Sequence, residues 1–337
     1  QWFDLAHDSS RRHNLAGAAP LGPNPVALSN DAPDINRSDS AIDSLPSGLL
    51  VDSQQNLEEA TPLRVVIRGE WRFGQSRQEA VEGVPGYRWL YFVYRDGRVY
   101  ASCSVIPPTD LSTKAWGLAF ACADHQGFIP RRVEVSPELE GKSQSTATAS
   151  YALFTRPEKG QADLLIVPHS PLALESPQTD HDRLPSVFWR MGEDTNRFSA
   201  CFLLRLWPAD LDTPEQAGPI AMDYCHPLPI EVDVGQLVLN DEGDDNQDGF
   251  NESSGCYVLQ LKGNLAKVRI DGRRQLRFSP AFKLKDVLQR DVWVYVDGRQ
   301  VKELCRDSDG DILFIVSGAI SDEVLVEVTS AMHEAPK

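Results

Sequence analysis

Residues 87–106 read Y-R-W-L-Y-F-V-Y-R-D-G-R-V-Y-A-S-C-S-V-I. Two β-branched and aromatic runs, Tyr87 to Tyr94 and Arg98 to Ile106, flank Asp96-Gly97, a dipeptide whose tolerance of positive φ suits a type I′ hairpin. In the first run Tyr87, Trp89, Tyr91 and Val93 share one face of a strand, and Arg88, Leu90, Phe92 and Tyr94 share the other. Both faces are largely apolar. One therefore meets the core, and the other meets a second sheet, a partner or a ligand.

Outward from this hairpin the same texture continues. Strand-like runs are expected at Leu63 to Phe73, Trp116 to Ala123, Ile129 to Val135, Thr146 to Phe154, Leu164 to Pro168, Val187 to Arg190 and Ser199 to Trp207, with no long helix among them. His169 to Pro185, rich in Pro, Ser and Asp, reads as a long loop, and its His169 and His181 as solvent-facing residues rather than metal ligands. A second unit begins near Ile230. It shows short runs at Cys256 to Leu261, Ala266 to Ile270, Gln275 to Phe278, Val292 to Val296, Gln300 to Leu304, Ile312 to Val316 and Glu323 to Val328, with Asp271-Gly272, Asp297-Gly298 and Asp309-Gly310 as turns. That spacing is the pattern of an antiparallel sandwich. From Gln1 to about Ala60 the Asp, Ser, Asn, Pro and Ala content reads as a linker or tail. The expected architecture is mainly β: two antiparallel sandwich-like domains, 61–229 and 230–330, after a poorly structured segment 1–60.

Composition narrows the function. Lys plus Arg total 33 against 49 Asp plus Glu, a formal charge of -16 over 337 residues, so a phosphate backbone is repelled and nucleic acid is not an expected partner. No apolar run approaches the ~20 residues of a membrane-spanning helix. The six cysteines, Cys103, Cys122, Cys201, Cys225, Cys256 and Cys305, contain no C-x-x-C and admit either disulfides or buried thiols. If they are bonded, sequence neighbours are the simplest pairs: Cys103 with Cys122, and Cys256 with Cys305.

The stretch with the most specific chemistry is Asp244 to Glu252, D-D-N-Q-D-G-F-N-E. Oxygen-bearing side chains alternate around Gly249, which permits a sharp turn, as a hard-cation loop requires. Asp244, Asn246 and Asp248 would supply side-chain oxygens, Phe250 its carbonyl and Glu252 a further carboxylate. An EF-hand is excluded, because Gly255 stands where that loop places a bidentate Glu and the flanks are strand-like. A solvated acidic connector is the competing reading. Asp307, Asp309 and Asp311 form a second acidic group, read as an ordinary hairpin turn ahead of a cation site.

The loop resembles the D-x-[DN]-x-D-G calcium loops of dockerins and type 3 thrombospondin repeats. Phe250 to Tyr257 and Asp309 to Gly318 look like β modules at the ends of large secreted bacterial proteins. The resemblance implies Ca²⁺ and an extracellular or cell-envelope location. It implies no catalysis.

No nucleophile elbow, zincin helix, phosphate-binding loop or dinucleotide fingerprint is present. Dispersed carboxylates such as Glu70, Asp110, Asp124 and Asp194 keep open a carbohydrate-active enzyme, or the C-terminal fragment of one. Trp89, Trp71 and Trp116 are candidates for stacking on sugar rings, with core packing as the alternative. The expectation is a non-catalytic protein that binds a surface polysaccharide or a protein partner, with self-association also open and Ca²⁺ serving structure.

Overall fold

The computed structural model describes residues 24–28, 49–74, 86–106, 115–121, 132–136, 147–149, 151–156, 161–169, 172–178, 186–191, 199–206, 214–244, 246–287 and 290–332. Contacts divide the chain into two units. One comprises Gln1–Asn56, Arg68–Leu90 and Ser102–Ala217, and the other Leu57–Ile67, Tyr91–Ala101 and Gly218–Lys337.

In chain order the first strands are β1 (Asn24–Leu28), β2 (Leu49–Ala60), β3 (Arg64–Gly74), β4 (Gly86–Tyr94), β5 (Arg98–Ile106), β6 (Ala115–Ala121) and β7 (Arg132–Ser136). They continue as β8 (Ala147–Ala149), β9 (Tyr151–Arg156), β10 (Gln161–Pro168), β11 (Leu172–Gln178), β12 (Ser186–Met191) and β13 (Ser199–Leu206). Two sheets result, ordered β2-β3-β4-β5-β13-β10-β9-β7 and β1-β6-β12-β11-β8. Leu165, Ile166 and Val167 on β10 are all fully buried, so that strand is covered on both faces. The segment read as linker enters β2 at Leu49, and the segment read as the 169–185 loop contains β11, which pairs with β8 and β12. Strands β2 to β5 contribute to both units, a sharing that no division into contiguous segments can represent.

Helix α1 (Pro214–Cys225) is an element the sequence reading did not name. Gly218 and Pro219 inside it disguise its periodicity, since proline removes a helical donor and glycine weakens a helix interior. Its start is nonetheless legible in Pro214, since proline suits the first position of a helix. Its length is 12 residues, and no helix among the described residues is long and apolar enough to cross a membrane.

The second unit adds β14 (Glu231–Val234), β15 (Gln236–Leu237), β16 (Phe250–Asn251), β17 (Cys256–Gln260), β18 (Leu265–Asp271), β19 (Arg277–Phe278) and β20 (Ala281–Lys285). It closes with β21 (Arg290–Val296), β22 (Arg299–Gln300), β23 (Leu304–Arg306), β24 (Ile312–Ile315), β25 (Ala319–Ile320) and β26 (Glu323–Met332). One sheet runs β14-β18-β26-β21-β22 and another β15-β17-β20-β24-β23, with β16 also on β17. Among the described residues the pairings of this unit's two sheets are antiparallel except β17 with β20, which run parallel from Cys256↔Ala281 to Gln260↔Lys285. Strand β20 is absent from the sequence reading, and it is central.

The 87–106 hairpin forms with a different turn. Gly97 donates to the Tyr94 carbonyl at 3.1 Å and has φ +85°, while Asp96 keeps a negative φ, so a three-residue loop replaces the expected type I′ turn. Asp96 instead accepts from the Arg98 backbone N–H at 3.2 Å and from its guanidinium at 2.8 Å. The type I′ geometry occurs at Asp297-Gly298, where both residues have positive φ between β21 and β22.

Cys103, Cys201, Cys225, Cys256 and Cys305 are free thiols, and Cys122 lies outside the described residues. The expected Cys256–Cys305 bond is excluded by topology. Strands β20 and β24 lie between β17 and β23, which puts the two cysteines roughly 14 Å apart, against about 7 Å for the widest bridged pair. Burial pushes the Cys225 thiol up to about 12, and it also raises Cys103, with Cys201 as a lesser cause. Unfolded without reductant, these five cysteines should alkylate completely. A disulfide-linked peptide pair in the mass spectrum would contradict this.

Candidate cation site

The loop containing Asp241 to Gly249 lies between β15 and β16, and its β16 end is buried. Gly249 has φ +86°, and a Cβ there would stand 2.9 Å from that of Leu237, so glycine is required by both conformation and space. Immediately after it, the Phe250 ring packs 5.0 Å from Tyr257 and 6.4 Å from Tyr224 of α1. The series continues through Tyr257–Phe282 at 5.6 Å and Phe282–Phe314 at 5.1 Å, and in the other direction through Tyr224–Tyr100 at 5.7 Å and Tyr100–Tyr94 at 5.6 Å. The Tyr224 hydroxyl donates to the Glu252 carbonyl at 3.2 Å, and that of Tyr94 to the Ser254 carbonyl at 2.8 Å. Aromatic pairs and buried hydrogen bonds thus hold the distal end of the loop.

Backbone donors arrange the acids. Asp244 accepts from the N–H of Asp248 at 3.2 Å and of Gly249 at 2.9 Å, and Asp248 accepts from the N–H of Phe250 at 2.8 Å. Asp244 and Glu252 are buried and Asp248 is half-buried, and one carboxylate oxygen from each lies within 4.8 Å of the others. Two oxygens that share one Ca²⁺ at 2.3–2.6 Å stand at most about 5 Å apart, so the three fit a single ion. Burial, and secondarily the charge of Asp248, raise the Asp244 pKa against the lowering effect of its backbone donors. A proton on Asp244 or a bound cation would relieve both costs.

Of the five residues proposed as ligands, Asp244, Asp248 and Glu252 converge. Asn246 is exposed, and its Oδ1 accepts from the Asp248 N–H at 2.9 Å. Phe250 is placed by its ring, and its N–H is committed to Asp248. The sequence reading missed Asn251, whose amide donates to Asp241 at 3.0 Å and to the Glu242 carbonyl at 2.8 Å while its Oδ1 accepts from the Ser254 N–H at 2.9 Å. Lys285 pairs with Asp241. Among the described residues no Lys or Arg pairs with Asp244 or Asp248.

The second acidic group differs in one respect. Lys283 of β20 places its ammonium 2.9 Å from Asp307, 3.4 Å from Asp309 and 3.3 Å from Asp311. The turn itself closes by Gly310 N–H to the Asp307 carbonyl at 3.1 Å and Asp307 N–H to the Asp311 carbonyl at 3.0 Å. A built-in cation already serves this hairpin turn. Burial works to lower the Lys283 pKa, and Asp307, followed by Asp311, overcomes it and raises the pKa.

The tryptophan candidates do not form a face. Trp89 is 2% exposed, with its ring 6.4 Å from Phe202, and Tyr91 is 3% exposed, so this side of β4 is packed core rather than a presented surface. Trp71 lies on β3 and Trp116 on β6, and their side chains lie outside the described residues. Among the dispersed acids, Glu70 is bound by Arg88 at 2.8 Å and Arg72 at 2.7 Å, and these contacts, the Arg88 hydrogen bond foremost, hold its carboxyl below the usual range. Asp110, Asp124 and Asp194 lie outside the described residues. No protein-family model matches the chain, and no curated protein matches it.

Proposed function

We propose that the chain is a non-catalytic β protein of the cell exterior or envelope, that loop 244–252 takes Ca²⁺ as a structural ion, and that the protein binds a surface polymer or a protein partner. The convergence of Asp244, Asp248 and Glu252 on a loop that continues into the aromatic core carries the reading. Ca²⁺ suits these oxygens because it accepts several carboxylates in flexible geometry, whereas Mg²⁺ demands a tight octahedron. A weak site, with Kd around 10⁻⁴ to 10⁻³ M, fills where calcium is millimolar, as it is outside cells. The carbohydrate-active alternative loses support at Glu70, since a general acid needs a raised pKa and Glu70 has a lowered one.

Saturating such a site at ~100 Kd should add about 2.7 kcal/mol and raise the melting temperature by about 5–10 °C. The double change Asp244→Ala with Asp248→Ala should abolish the shift. Identical melting curves in calcium and in EDTA would refute the site. The pH dependence has a definite sign. Without metal, the raised Asp244 pKa contributes stability that is complete below its ordinary value of 3.8 and is lost as pH rises through the folded value. The calcium-induced increase should therefore grow as pH rises through that window, because the ion competes with the proton.

A further inference from the structure

A cavity of about 490 Å³ lies within the second unit and shares no residue with loop 244–252. Small-molecule sites have volumes of this order. Its apolar lining is Leu63, Val301 and Ile315, of which Leu63 is buried. Ser279, Ser317 and the exposed Lys302 contribute polar groups. Ser279 holds φ +48°, a left-handed conformation that is costly for a residue with a Cβ. Its Oγ accepts from the Gly318 N–H at 3.0 Å, while its own N–H donates to the Gly318 carbonyl at 2.9 Å. The two residues thereby fix each other, and the Ser279 O–H is left to donate.

Both acids that line the cavity are already matched. Asp96 lies 2.7 Å from the Arg98 guanidinium, and Glu303 lies 2.8 Å from that of Arg95. Lys302 differs, because among the described residues no carboxylate pairs with its ammonium. Beyond its matched pairs, the cavity therefore presents one cation and hydroxyl donors beside apolar walls. Its complement is a molecule with one negative charge and an apolar body. A neutral ligand gains nothing from the ammonium, and a cation is repelled by it. One ammonium balances one charge, so a phosphate dianion would add unmatched charge to a chain already at -16. A carboxylate is the monoanion that also accepts from several donors at once. A reporter stands nearby: Tyr295↔Gln300, followed by the Val301 N–H on the Val294 carbonyl at 2.8 Å, sets Lys302 opposite the half-exposed Trp293.

We propose that this cavity binds a small organic carboxylate, with the carboxylate on Lys302 and the Ser279 and Ser317 hydroxyls and the apolar body against Leu63, Val301 and Ile315. The site goes beyond the reading of the chain as a polymer-binding protein and does not depend on Ca²⁺ at loop 244–252. The test uses the intact chain at low ionic strength, where screening is least. Benzoate, phenylacetate and hexanoate, each beside its uncharged primary amide, are taken to millimolar concentration and followed by calorimetry and by tryptophan fluorescence. At least one acid should bind, and its amide should bind about fivefold more weakly or not at all. Lys302→Ala should weaken the acid by about the same factor and leave the amide unchanged, while Lys302→Arg should stay within about twofold of the parent. Ser317→Ala, at an exposed position, should weaken the acid by about two- to threefold. All three variants should melt close to the parent, since neither side chain is buried. The proposal is overturned if no acid binds, if the amide binds as well as its acid, or if Lys302→Ala binds the acid like the parent. A missing calcium shift would strike loop 244–252 without touching this result, and absent carboxylate binding with the calcium shift intact would strike this cavity alone.

Discussion

Lys283→Ala should destabilise the second unit by about 3–5 kcal/mol, because it leaves buried carboxylates without their counter-charge. The Lys283 side chain is 15% exposed, Asp307 1% and Asp311 13%, so solvent screens these contacts little. Asp309 is 72% exposed, and Asp309→Ala should change stability by less than about 0.5 kcal/mol. The raised Lys283 pKa means that its stabilisation is complete below the ordinary value of 10.5 and is lost only as pH rises through the higher folded value. Burial raises Asp311 even with the ammonium beside it, and removal of the ammonium raises it further. The variant should therefore recover stability on acidification as its carboxylates take up protons. Urea melts at neutral and acidic pH measure both effects. A loss under about 1 kcal/mol, or one that does not shrink in acid, would show that Lys283 is a surface charge of no structural consequence.

Trp89→Ala should cost about 3–5 kcal/mol and unfold or severely loosen the first unit. At 2% exposure beside Phe202, the indole fills space that neighbouring strands cannot close, so its removal leaves a cavity as well as lost contacts. Trp89→Phe should recover part of that loss. Chemical denaturation followed by circular dichroism decides the matter, and an Ala variant as stable as the parent would return Trp89 to the list of contact residues.

Much of the architecture was written in local pattern. The Tyr87 to Ile106 hairpin matches β4 and β5 to within a residue, and Cys256 to Leu261, Val292 to Val296 and Ile312 to Val316 all fall on strands. Period-2 alternation and D-G turns are local properties, and they survive folding wherever one face is buried. The acidic loop was legible for the same reason: its backbone donors and its carboxylates lie within a few residues of one another.

What the tertiary structure alone decided concerns partners distant in sequence. Ala281 to Lys285, A-F-K-L-K, has two lysines and no β-branched residue, so it does not announce itself as a strand, yet β20 pairs parallel with β17 and carries Lys283 to three aspartates more than twenty residues away. That ammonium separates the two acidic groups: it reaches Asp307, Asp309 and Asp311, while no described Lys or Arg pairs with Asp244 or Asp248. What each face of the aromatic strand β4 meets was equally beyond local reading, and the packing buried Trp89 and Tyr91 from one face and Tyr94 from the other. Strand order decided the cysteines too, by setting β20 and β24 between Cys256 and Cys305. Alternation fixes which residues share a face, but only the assembled sheets fix what that face meets, because the long-range pairings that decide it leave no periodic trace in the chain.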